Sequence, residues 1–284
     1  MRAYLLCLLI SLFSAGIHAA VVQQEMRPGI GASAEYLPGA RDKPAVLMLH
    51  GFLQTRDFQT VSSLARSVND AGYAVLSPTL SLNIPNRSQS LACEAVHKHG
   101  MDDDVAEIAH WVRWLKSQGH RSVVLFGHSF GSLQLLAYLS HKPDPAVKGY
   151  IGASLVETQL GKTDRAALVA RLDDRVRRGQ RALYTGSISF CSKYPSTPEG
   201  LLSYARWDQP HVLASLKQVP VPMKLVMGDA DFIIENNWLK VLQHLQIPMA
   251  IIEGANHFMD GGHEFDLLEH ALGFLASVQP PRAR

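Results

Sequence analysis

The chain has 284 residues, of which 47% are hydrophobic and 18% charged, with a formal net charge of +2, enough for one large core carrying a modest insertion. The pI near 8.4 is too mild for a phosphate-binding surface, which shows as a concentrated basic stripe, so no nucleic-acid partner is expected.

Residues 1–19 read as a secretory signal. Arg2 supplies the positive start, the following stretch to Ile17 is almost wholly apolar, and Ile17-His18-Ala19 offers a cleavage site. Cleavage after Ala19 would export residues 20–284 to the periplasm or the medium. The competing reading is a retained anchor, against which stand Ser11, Ser14, Gly16 and His18. Removal of the signal takes Cys7 with it, leaving Cys93 and Cys191 in an oxidising compartment. They are expected to pair, the alternative being two buried free thiols.

Residues 21–25 and 33–37 form an expected opening hairpin around Arg27-Pro28-Gly29. The apolar run 45–49 is a strand covered on both faces. Helical spacing follows over 58–71, then a short strand at 73–76 and a clear amphipathic helix over 102–118. Strands at 123–126, 147–153, 224–227 and 249–252 alternate with helices at 129–140, 236–245 and 263–278. Parallel strands need crossovers and helices supply them, so the pattern gives an α/β fold with a mostly parallel central sheet flanked by helices. Residues 80–101 and 155–216 interrupt the alternation where strand ends open onto loops, the edge at which α/β sheets hold ligands. The second is long enough for a cap, with a helix expected over 164–178 that turns Leu168, Leu172 and Val176 inward.

Gly127-His128-Ser129-Phe130-Gly131 follows an apolar strand and opens a helix, a turn that can lift Ser129 clear of the sheet. A serine hydroxyl needs a base within reach and an acid to orient that base, here in the chain order serine, acid, histidine. After later strands come Gly228-Asp229-Ala230-Asp231 and Gly254-Ala255-Asn256-His257-Phe258. The candidate bases are His257 and, as a fallback, His263; the candidate acids are Asp231 and Asp229. Phe130, directly after the nucleophile, offers a backbone N–H to an oxyanion.

Together with His50-Gly51-Phe52 after an earlier strand, these motifs resemble the α/β-hydrolase family over roughly residues 45–278, outside the two interruptions. The resemblance implies a triad in which Ser129 attacks an ester, amide or thioester carbonyl, His257 takes the serine proton and Asp231 fixes the imidazole tautomer. It also implies that Phe52 supplies the second oxyanion N–H, with Leu53 as the alternative. The expected activity is an exported serine hydrolase of carboxylesterase or lipase type working on a small-molecule acyl substrate. A peptidase or amidase and an inactive binding protein are the alternatives.

Gly29-Ile30-Gly31-Ala32-Ser33-Ala34 lacks the strand, helix and later acid of a dinucleotide site, so no cofactor is expected. Cys93, His97 and His99 match no common zinc spacing, and no metal is expected. Asp102-Asp103-Asp104 reads as a charged helix start. Arginines outnumber acids over 162–181, which reads as a solvated face before it reads as an anion or membrane contact. Tyr184, Phe190, Tyr194, Tyr204 and Trp207 are candidates for an acyl pocket or for the cap's own small core.

Overall fold

A computed structural model describes residues 19–159, 165–234 and 237–278; the expected signal therefore lies outside the described residues, apart from Ala19. Strands β1 (Ala20–Arg27), β2 (Ile30–Leu37), β3 (Ala45–Leu49), β4 (Val75–Thr79), β5 (Val123–His128), β6 (Val147–Ala153), β9 (Met223–Gly228) and β10 (Met249–Ile252) form one sheet. Its order is β1-β2-β4-β3-β5-β6-β9-β10. The β1–β2 and β2–β4 pairs are antiparallel, and every other pair is parallel. Gly29 closes the opening hairpin with a φ of 76° that costs a glycine nothing.

Side chains along β3 alternate between two cores. Ala45, Leu47 and Leu49 join the core under α2 (Met101–Ser117), α3 (Phe130–Ser140) and α7 (Trp238–Gln243). Val46 and Met48 face α1 (Gln59–Asp70) and α8 (His263–Ser277). In α1 the buried set Val61, Leu64, Ala65 and Val68 follows the helical repeat, and each fully buried leucine or valine contributes about 1.5–3 kcal/mol. Both faces of the sheet are thus covered, which is why its strands read as apolar runs.

Between β6 and β9 the chain makes an excursion through α4 (Arg165–Arg177), the antiparallel pair β7 (Tyr184–Ile188) and β8 (Cys191–Ser196), α5 (Pro198–Ala205) and α6 (Gln209–Leu216). Only α4 had a clear sequence signal; Leu172 is buried in it, with Leu168 and Val176 partly covered. The other interruption, 80–101, holds no helix or strand until α2 begins. It joins the excursion through a bridge from His97 to Ser196 and through a Cys93–Cys191 disulfide with a Cα separation of 5.3 Å.

Candidate active site

Strand order reverses around β3 and β5, and the loops that leave these two strands meet at Ser129. Ser129 sits between β5 and α3 with φ 55° and ψ −123°, a strained conformation for a residue with a side chain. Its neighbours make the turn possible. A Cβ on Gly127 would lie 2.5 Å from the Ser132 nitrogen, and one on Gly131 would collide with the His50 carbonyl. The turn is pinned by Ser129 N–H donating to Ala153 O at 2.8 Å and by Ser132 Oγ–H, which reaches Gly127 O at 2.7 Å.

Ser129 Oγ–H donates to His257 Nε2 at 2.7 Å, and His257 Nδ1–H donates to Asp231 Oδ2 at 2.7 Å. The carboxylate fixes the tautomer, leaving Nε2 free to accept the serine proton. The Asp231 and His257 side chains are almost wholly enclosed, at 0% and 3% exposure. Asp231 Oδ1 accepts N–H bonds from Ile233 at 2.9 Å and Ile234 at 3.3 Å, so both of its oxygens are engaged. Asp229 instead accepts the Gly254 N–H at 2.7 Å, tying the β9 loop to the β10 loop. His263 pairs with Asp266 at the start of α8.

The His257 backbone is held as well. Its carbonyl accepts Ser154 Oγ–H at 2.8 Å and His128 Nε2–H at 2.9 Å. Burial pushes His128 down to about 4, so the ring is neutral at physiological pH, with its single proton on the donating Nε2.

The loop after β3 is braced from two sides. His50 accepts the Leu80 N–H on Nε2 at 3.2 Å and donates from Nδ1 to Gly51 O at 2.9 Å, a neutral arrangement consistent with burial lowering it to about 3. In a trans peptide C=O and N–H point oppositely, so this bond to Gly51 O also directs the Phe52 N–H. Buried Arg87 donates to Leu80 O at 2.7 Å, Gln89 O at 2.8 Å and Gln54 O at 2.8 Å. Gly51 lies against Ser129, whose Cβ would be 3.4 Å from a Cβ at that glycine. The N–H groups of Phe52 and Phe130 donate to no acceptor among the described residues, and their rings pack 4.6 Å apart.

Sequence reasoning missed Arg87, which has no motif, and misjudged Asp104. Asp104 is buried and accepts from Tyr204 at 2.5 Å and from Gln134 at 2.6 Å, while Tyr204 also meets His99 at 2.7 Å. Only Asp103 behaves as a cap, accepting the Gly100 N–H. His97 stacks on Tyr194 at 3.9 Å, and the Cys93 sulfur is taken by the disulfide. Of the aromatic candidates, Tyr194, Tyr204 and Trp207 are buried, whereas Phe190 is 62% exposed.

A family model described as the α/β hydrolase fold matches residues 44–175. Among solved structures, the α/β hydrolase GrgF from Penicillium sp. sh18 superimposes with a TM-score of 0.71 at 15% identity, covering 93% of this chain and 99% of that one. Est1E from Butyrivibrio proteoclasticus gives 0.63 at 16% identity, covering 90% and 98%. A thioesterase domain from the curacin biosynthetic pathway gives 0.60 at 18% identity, covering 92% and 99%. No curated protein is close enough in sequence to match. Sheet order, family match and structural likeness agree, and the chain has the α/β-hydrolase fold.

Proposed function

We propose that the protein is an exported serine hydrolase that cleaves a carboxylic ester or related acyl substrate through an acyl-enzyme. The observation that carries this reading is the continuous hydrogen-bonded line from Ser129 through His257 to Asp231. Ser129 Oγ attacks the carbonyl carbon as its proton passes to His257 Nε2. The tetrahedral intermediate then expels the alcohol, which takes that proton. Water repeats the sequence on the acyl-enzyme, releasing the acid and restoring the serine. The N–H groups of Phe52 and Phe130, without acceptors among the described residues, would receive the oxyanion, each contributing about 3 kcal/mol to the transition state. Est1E and the thioesterase domain support acyl chemistry on this fold. The Cys93–Cys191 disulfide supports export, since such bonds persist in oxidising compartments.

A fluorophosphonate should label Ser129, and Ser129→Ala should remove both labelling and nitrophenyl-ester hydrolysis, with a loss on the order of 10⁴-fold or more. Hydrolysis of aminoacyl anilides in preference to esters would replace the esterase with an amidase. Absence of labelling would leave a binding protein.

A further inference from the structure

The β7–β8 turn presents an aromatic ring beside the oxyanion loop. Phe190 at this turn is 62% exposed, yet its ring stands edge-on to Phe52 with centroids 5.7 Å apart. Phe52 is itself buried between Phe130 at 4.6 Å and Tyr194 at 5.7 Å, so of these four rings only Phe190 stands exposed. The turn is held on three sides. Ser189 N–H donates to Thr158 O at 3.1 Å, Ile188 pairs with Cys191, and Cys191 is bonded to Cys93. Covering such a ring with an apolar ligand group removes apolar area from water and favours binding.

Geometry decides which part of a substrate meets it. The leaving group must lie within reach of His257 Nε2 to collect its proton, and the carbonyl oxygen must face the N–H groups of Phe52 and Phe130. The acyl substituent therefore points away from His257, and Phe190 is an exposed ring in contact with Phe52 of the oxyanion loop. We propose that Phe190 sets acyl specificity and that the preferred substrates are esters of uncharged aromatic acids, whose ring packs against Phe190. This rests on the serine-hydrolase reading above. Aromatic pairs favour edge-on or offset contact beyond simple area burial, which distinguishes an aryl group from an alkyl chain of similar size.

The test compares nitrophenyl phenylacetate with nitrophenyl acetate, using fluorophosphonate titration of Ser129 to count active sites. The wild-type kcat/KM ratio should favour phenylacetate by about tenfold or more, in line with the selectivity of an apolar contact. Phe190→Ala should bring the ratio towards unity, and Phe190→Tyr, which keeps the ring, should retain it. A wild-type ratio near one, an unchanged ratio in Phe190→Ala, or an equal loss in Phe190→Tyr overturns the assignment while labelling and acetate hydrolysis leave the reaction standing. Failure of Ser129 to label removes both.

Discussion

At the residue scale, two aspartates two positions apart have been given different work by their partners. Asp231 accepts the His257 Nδ1–H; under the proposed hydrolase reading Asp231→Asn should lower kcat by about 10⁴-fold, the cost of presenting the wrong imidazole tautomer. Asp229 only accepts a backbone N–H from Gly254, and Asp229→Asn should leave turnover within a few-fold. Equal losses in steady-state assays of the two variants would refute the assignment. Arg87 donates to the carbonyls of Leu80, Gln54 and Gln89; Arg87→Met strips these buried acceptors and should cost about 2–4 kcal/mol by urea titration. It should also lower kcat more than KM, because the loop it holds carries the Phe52 N–H. That Ser129, His257 and Asp231 come together was legible in the sequence because each sits in a turn whose glycines and strand ends are local features. Arg87 and Asp104 were not, since their roles exist only through carbonyls and hydroxyls brought from distant segments.

At the scale of elements, the strands and helices of the sheet could be read from periodicity because both faces are buried. The bounds of β3, β6 and β10 are those expected from the apolar runs alone. Within the excursion the signals weaken. The β7–β8 pair is only partly covered, and α5 and α6 are only eight residues each, too short to show a clear helical repeat. Their starts were nonetheless written in the chain: Thr197 caps Pro198 and its successors, and Asp208 accepts the His211 N–H, the usual signature of a capped helix with proline in its first turn. The disulfide joins segments 98 residues apart, and a loop of that length confines the unfolded chain by about 4–5 kcal/mol. Cys93→Ser with Cys191→Ser should therefore lower stability by a comparable amount in denaturant titration. An unchanged midpoint, or no gain of two hydrogens in mass upon reduction, would contradict the bond.

At the scale of the whole molecule, stability should depend on pH through histidines that the fold keeps neutral. Burial lowers His50 to about 3 and His128 to about 4 from an ordinary 6.5. Below 6.5 the unfolded chain takes up protons that the folded chain refuses, so each ring removes up to about 1.4 kcal/mol per pH unit until its folded value is reached. Above 6.5 neither contributes. The urea midpoint should accordingly fall between pH 7 and pH 5, and a flat profile would show that these rings titrate normally in the native state. The His257 carbonyl gives this neutrality a second meaning. It is gripped by His128 and Ser154, residues at the ends of β5 and β6, while Ser129 hangs from that same pair of strands through its bond to Ala153. Ser129 and His257 are thus fastened to a common anchorage, so small sliding of α8 or the outer strand β10 carries little strain into the distance between them.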